Sequence, residues 1–249
     1  MANKISVIIL TKDSSKYIGE CLNALQRFNE IIVLDNGSQD NTLEIVKQYA
    51  NVKIYTSPFI GFGPLKNLAI SKASNDWILS VDSDEIFNEM LVNEILNLSL
   101  NKMMVYAIHR HNYYRHKLLN CCGWENDYVD RLFNKTNVQF NNNQVHESLM
   151  YDKGTRKEKL IYSFKHYTFD NAGELLSKMN HYSSLYAQEN KAKKQSSLFK
   201  AIVHSCFLFI KNYFFQKGFM YGYEGFLIAL SNANGVFYKY IKLMEANQK

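Results

Sequence analysis

Short apolar runs alternate along the first hundred residues with longer segments whose apolar positions recur every third or fourth residue. Ile5–Leu10 is a continuous run rich in β-branched residues, the pattern of a strand covered on both faces. Ile18, Cys21, Leu22, Leu25 and Phe28 follow at helical spacing, and Ile31–Leu34 is a second buried-strand run ending at Asp35. Leu43, Val46 and Tyr49 share a helical face, Val52–Tyr55 reads as a third strand, and Pro64–Ala73 reads as a helix. Trp77–Val81 is a fourth strand ending at Asp82, and Leu91, Ile95 and Leu98 mark the helix after it. This alternation predicts an α/β fold with a doubly wound, mainly parallel sheet.

From about Asn171 the pattern turns helical and aromatic, so a domain over 1–170 and a helical extension over 171–249 are expected. Leu175, Met179, Tyr182 and Leu185 form one stripe. Leu198–Phe215 is strongly apolar but broken by Lys200, His204 and Lys211, and Phe219–Met244 mixes aromatic and aliphatic residues with Lys239 and Lys242. None of these is an uninterrupted apolar run of about 20 residues. Partly amphipathic helices at a membrane interface, or packed on the sheet, fit better than spanning ones.

Composition adds one asymmetry. At 47% hydrophobic and 21% charged the chain is ordinary globular material. Residues 1–150 carry 14 Lys and Arg against 16 Asp and Glu, whereas 151–249 carry 15 against 7. The second segment therefore asks for an anionic partner, lipid headgroup or nucleic acid. Cys21, Cys121, Cys122 and Cys206 show no metal-site spacing and suit a reducing compartment. The opening MANKISVIIL has too short an apolar run for a signal peptide and reads as a first strand.

Ligands of such sheets bind beyond the carboxyl ends of the strands. Those ends carry Thr11 and Asp13, then Asp35, then Asp82 with Asp84. Alternate carboxylates in Asp82-Ser83-Asp84-Glu85 can share a divalent cation with diphosphate oxygens, or only end a strand and cap the next helix. Asp35-Asn36-Gly37-Ser38 can accept hydrogen bonds from a base or ribose, or simply make a tight turn. Thr11-Lys12-Asp13 offers the same choice between a ligand and a helix cap. Gly61-Phe62-Gly63-Pro64 leads into a helix with Lys66 in its first turn, which can bring backbone N–H groups and a cation to phosphates. Its spacing matches neither the dinucleotide fingerprint nor the Walker loop.

The runs SVIILTKD, IIVLDNGSQDNT, GFGPLKNLAI and DWILSVDSDE, in this order and spacing, resemble the family 2 glycosyltransferases and their GT-A fold. The likeness continues through Gly123–Tyr128, Arg131-Leu132-Phe133 and Val145-His146-Glu147, and is nearest to the bacterial enzymes of lipopolysaccharide and lipooligosaccharide cores. It implies an inverting, metal-dependent transfer from a nucleotide-diphosphate sugar, with UDP the default, to a glycolipid or oligosaccharide hydroxyl. Thr11, Asp13, Asp35, Lys66 and Asp82 then fall to donor binding, and Asp84 and His146 to a Mg²⁺ or Mn²⁺ ion, with His166 a further candidate ligand. Asp127 is the base by its place before Arg131, with Glu147 as rival, although the family's usual Glu-Asp pair is here Asn126-Asp127.

Arg110, His111, Arg115, His116 and Lys117, interleaved with Tyr113 and Tyr114, superficially resemble a nucleic-acid patch, and suit an anionic acceptor or a solvated basic loop equally well; no nucleic acid is expected. A lipid-linked acceptor and the basic segment together imply a peripheral protein on the inner face of the cytoplasmic membrane. The contrasting reading is a non-catalytic membrane- or RNA-binding protein, which gains nothing from ordered carboxylates at successive strand ends. A nucleotidyltransferase would want a phosphate-gripping loop directly after the first strand, and Thr11–Ser15 lacks one.

Overall fold

The computed structural model describes residues 4–143 and 147–248. In its first hundred residues the elements are β1 (Ile5–Thr11), α1 (Ile18–Ala24), β2 (Glu30–Asp35), α2 (Thr42–Val46), β3 (Val52–Thr56), α3 (Phe62–Lys72), β4 (Trp77–Asp82), β5 (Glu85–Phe87) and α4 (Glu89–Asn97). The four parallel strands lie in the order β3-β2-β1-β4. Every residue of β2 is buried, as a strand covered on both faces requires. On one face, Leu65, Ala69 and Ile70 of α3 pack with Ile8, Ile32, Leu34 and Ile78. The register sets Thr11 beside Asp35 and Leu10 beside Asp82, so the polar strand ends line up along one edge.

The sheet then departs from a purely parallel pattern. It continues from β4 through β8 (Tyr128–Asn134), β6 (Met104–Tyr114), β11 (Arg156–Phe169) and β5, with β7 (Lys117–Leu118) paired to β6. The β4–β8, β6–β8 and β11–β5 ladders are antiparallel. Periodicity left this half unassigned: Arg156–Lys159 of β11 are all exposed and carry no apolar run, although β6 has one in Met104–Ile108, with Val105–Ile108 buried. A separate two-stranded sheet joins β9 (Val138–Phe140) to β10 (Leu149–Tyr151).

The chain divides into two compact units, Met1–Arg110 with Tyr128–His166, and His111–Asp127 with Tyr167–Lys249. The division thus falls at 166/167 where the sequence pattern suggested 170/171, and 111–127 belongs with the second unit. That segment supplies Tyr114, Leu119, Cys121 and Cys122 to an apolar cluster with Phe169, Leu175, Ile228 and Ala229.

The second unit is otherwise α5 (Ala172–Asn190), α6 (Leu198–Ile210), a π-helical turn over Lys211–Phe215, a short 3₁₀ turn over Gly218–Tyr221, and α7 (Gly222–Gln248). Asn171 caps α5 by accepting from the Glu174 N–H at 3.0 Å, while the Glu174 carboxylate takes the Asp170 N–H at 2.8 Å. Both α5 and α6 pack along α7. Lys242 of α7 donates to the Asn180 carbonyl and to the Ser183 and Ser184 hydroxyls, tying α7 to α5. Gly225 is obligatory, because a Cβ there would lie 2.0 Å from the Gly218 carbonyl oxygen.

Candidate active site

The carboxyl end of β4 holds a dense group of charges within the first unit. Asp82 ends β4 and Glu85 opens β5, with Asp84 in the turn between them. Arg131 of the adjoining strand β8 reaches both, its Nη2 2.6 Å from Asp82 Oδ2 and also hydrogen-bonded to Glu85. Lys66 of α3 places its ammonium 3.3 Å from Asp82 Oδ1 and 2.9 Å from Glu147 Oε1. Pairing of β5 with β11 sets His166 opposite Glu85, and His166 Nε2 lies 3.4 Å from Asp84 Oδ2. Glu85 does not cap the next helix: Asn88 does, accepting from the Leu91 N–H at 2.8 Å.

Three carboxylates, Asp82, Glu85 and Glu147, thus meet two permanent cations, Lys66 and Arg131, and a fourth, Asp84, lies beside His166. Burial pushes the Asp82 carboxyl up, but Arg131 and Lys66 outweigh it and hold Asp82 well below the usual carboxylate range. Glu85 goes the other way: burial raises it, and the charge of Arg131 only partly offsets that. Burial opposes the charge on Arg131, and Asp82 and Glu85 more than restore it. The Nε–H of Arg131 finds no hydrogen-bond partner among the described residues.

A divalent cation fits this donor set. Its charge would balance the carboxylate excess, and Mg²⁺ or Mn²⁺ takes few protein carboxylates beside phosphate oxygens and water. Asp84 suits it: its side chain is 37% exposed, as is that of Asp82, but Asp82 is already held by Lys66 and Arg131, whereas Asp84 has His166 beside it. No trio of His, Cys, Asp or Glu side chains able to cage a metal stands ready among the described residues, so any ion held here would need further oxygens from a ligand or water. His146 lies outside the described residues.

The other strand-end residues build turns. Asp35 Oδ1 accepts from Thr11 Oγ1 at 3.1 Å and from the Ser38 hydroxyl, and Oδ2 accepts from the Gly37 and Ser38 N–H groups at 2.8 and 3.0 Å. These bonds pull its carboxyl below the usual range although burial raises it. Asp13 crosses to the same loop, accepting from the Gln39 N–H at 2.7 Å while its own N–H reaches Ser38 Oγ at 2.9 Å. Thr11, Asp13 and Asp35 therefore meet in one rigid double turn. Ser14 and Ser83 bring their hydroxyls 2.9 Å apart and link this turn to the β4–β5 turn.

The glycine loop has a different purpose from the one its sequence suggests. The Gly63 N–H donates to the Asn143 carbonyl at 3.1 Å, and a Cβ on Gly63 would sit 1.9 Å from the Asn141 carbonyl oxygen. Gly63 thus permits a backbone crossing instead of offering its N–H to a phosphate. The crossing strand lies beside a cleft of about 390 Å³ lined by Lys66, Asp82, Arg110, Asp130, Arg131 and Glu147, among others.

Asp127 belongs to the second unit, where Asn112, itself buried, donates to its Oδ2 at 2.7 Å and accepts from the Thr168 hydroxyl at 3.0 Å. Much of the basic run is occupied there as well. The Arg115 Nε–H reaches the Asp170 carbonyl at 3.1 Å, and Lys117 pairs with Glu224 at 2.9 Å. Arg131, Glu85 and Asn112 were not singled out as site residues in the sequence. Only the run Arg131-Leu132-Phe133 hinted at the first.

The sequence model of Glycosyl transferase family 2 matches residues 6–160. An uncharacterised glycosyltransferase of Rickettsia felis is 30% identical, over 98% of this chain and 90% of its own length. The lipopolysaccharide core biosynthesis glycosyltransferase LpsC of Rhizobium meliloti is 25% identical over 92% of this chain and 87% of its own. Among solved structures, S. aureus TarS in complex with UDP-GlcNAc aligns with a TM-score of 0.48 and 16% identity, over 99% of this chain and 90% of that one.

Proposed function

The chain belongs to glycosyl transferase family 2, and from that premise we propose an inverting transfer from a nucleotide-diphosphate sugar, UDP-sugars foremost, to a hydroxyl of a glycolipid or lipopolysaccharide-core acceptor. The observation that carries it is the excess of carboxylates over cations where β4 ends, a charge state made for a cation and a polyanionic leaving group. Similarity to LpsC supports the acceptor class.

In this reaction the acceptor oxygen bonds to the anomeric carbon as the bond to the diphosphate oxygen breaks, and the hydroxyl proton passes to a carboxylate. Lys66 and Arg131 fix Asp82, leaving Asp84, with His166 beside it, to hold the divalent cation. That cation, when bound, supplies positive charge to the departing diphosphate. The double turn of Thr11, Asp13 and Asp35 forms a stiff seat for the nucleoside, contributing backbone groups more than the saturated Asp35 carboxylate.

Asp127 takes the proton. Glu147 is the poorer base because its carboxylate is ion-paired with Lys66, which competes with a proton for it, and Asp127 accepts a hydrogen bond from the Asn112 amide. Incubation with a panel of nucleotide sugars and core-oligosaccharide acceptors, with Mn²⁺ or Mg²⁺, should release nucleotide diphosphate and yield a product of inverted anomeric configuration by NMR. Retained configuration would refute the single displacement, and turnover of no donor would refute the assignment. Asp127→Asn should cut turnover about 10²–10⁴-fold. If Glu147→Gln shows that loss and Asp127→Asn does not, the roles are reversed.

A further inference from the structure

Helix α6 shows the solvent the face that a surface helix normally hides. Within it only Ala201 is buried, and Asn212 is the buried residue of the following π-helical turn. Phe199, Val203, Phe207, Ile210 and Phe214 recur at helical spacing and are all exposed, Phe199 by 77% and Phe207 by 67%. Phe215, Phe219, Met220 and Tyr223 extend the exposed apolar surface. Soluble proteins rarely leave so large an apolar area uncovered without a partner for it.

Charge identifies the partner. Between Asn190 and Tyr223 the chain carries Lys191, Lys193, Lys194, Lys200, Lys211 and Lys217 and no Asp or Glu. A second copy of this chain would bring lysine against lysine with no acid to pair. An anionic bilayer offers hydrocarbon to the phenylalanines and headgroup charge to the lysines together.

We propose that the outward face of α6 and its π-helical turn docks on an anionic lipid bilayer, the helix lying in the headgroup plane. Leu198–Phe215, 18 residues with a mean hydropathy of 1.2, is just long and apolar enough to cross. Crossing, however, would strip it from α7, along which it packs. It would also break Asn212 from Asn232 and Gln216, at 2.8 and 2.6 Å, and take Asn212, Lys200 and Lys211 into hydrocarbon. The proposal stands on the helical unit alone and does not depend on the transferase chemistry, although a lipid-linked acceptor would lie on the same surface.

The test is co-sedimentation of the full-length protein with vesicles of phosphatidylcholine plus phosphatidylglycerol, and with pure phosphatidylcholine. Binding should require the anionic lipid and weaken with salt. Replacing exposed rings in F199S/F207S/F214S should lower partitioning about 10–100-fold with an unchanged circular dichroism spectrum. K200Q/K211Q should cost about fivefold per lysine at low salt and little at high salt. Wild-type protein left in the supernatant, or a triple phenylalanine variant that binds as well, would overturn the proposal. So would vesicle-bound protein that resists alkaline carbonate, the mark of a spanning helix. A lipid-free dimer in sedimentation velocity that the triple variant loses, without vesicle binding, would assign the face to self-association instead.

Discussion

Two carboxylate clusters sit within the first unit, and they differ in whether their charge is balanced. At the start of β2, Glu30 accepts from the Ser6 hydroxyl, the Ser74 N–H at 2.8 Å, the Ser74 hydroxyl at 2.6 Å and Lys53 at 2.7 Å. One acid meets one lysine and three neutral donors, so the group is closed and neutral. At the end of β4 three acids meet two cations, and a fourth, Asp84, stays partly open to solvent. A buried acid paired with a lysine occurs at both sites. What differs is unbalanced charge, which costs stability unless a ligand supplies the missing cation.

The sharpest way to break this contrast is to remove Asp84. Asp84→Ala should abolish transfer, and chelation of divalent ions should do the same to the wild type, while the melting temperature of Asp84→Ala holds or rises as the excess of negative charge falls. Activity above about a tenth of wild type in saturating Mn²⁺ or Mg²⁺ would end the metal role of Asp84.

The closed cluster should answer in the opposite sense. Glu30→Ala should lower stability by about 2–4 kcal/mol, the worth of a buried, charge-assisted hydrogen-bond group, and leave turnover per folded molecule unchanged. Burial alone would raise the Glu30 carboxyl, but Lys53, Ser6 and Ser74 bring it down from 4.5 to about 2. A lowered folded value means its stabilisation is complete above pH 4.5 and drains away as the pH falls toward 2. Denaturant midpoints between those limits should fall less steeply in Glu30→Gln than in wild type. Equal slopes would mean that Glu30 is not what the acid titrates.

Much of this was legible in the sequence, and the boundary of legibility has a physical cause. Strands β1, β2 and β4 are buried along most of their length, so apolar runs marked them, while edge strand β3 showed as a short half-buried run, and the acids at strand ends announced a binding edge. Strand β11 is largely exposed and β8 only half buried, so neither stands out as a run, and the one in β6, Met104–Ile108, does not by itself say which strand it pairs with. Arg131 and His166 lie far along the chain from Asp82 and Asp84, and only antiparallel pairing brings them together. Gly63 looked like part of a phosphate loop because a sequence cannot distinguish a glycine that admits a ligand from one that admits the backbone of Asn141. The phenylalanines of α6 were visible as a basic, aromatic stretch, but which face they occupy depended on how α6 rolls against α7.

Asp127 is held by a side-chain amide, and the residue that holds it yields the smallest expected effect. The Thr168 hydroxyl donates to Asn112 Oδ1, which orients the amide so that its NH₂ faces Asp127. With Asp127 as the proposed base, Asn112 would be a positioning residue, holding one rotamer of the carboxylate that meets the acceptor hydroxyl. Asn112→Ala should lower kcat about 3–10-fold, the net worth of one hydrogen bond of about 1 kcal/mol, and leave the KM for donor unchanged. Asn112→Asp should fall further, because two carboxylates would then share the site. If the loss instead follows a drop in melting temperature and disappears when rates are corrected for the folded fraction, Asn112 only supports the strand. A rise in donor KM with constant kcat would place Asn112 and Asp127 on the donor side, and the base would have to be sought in Glu147.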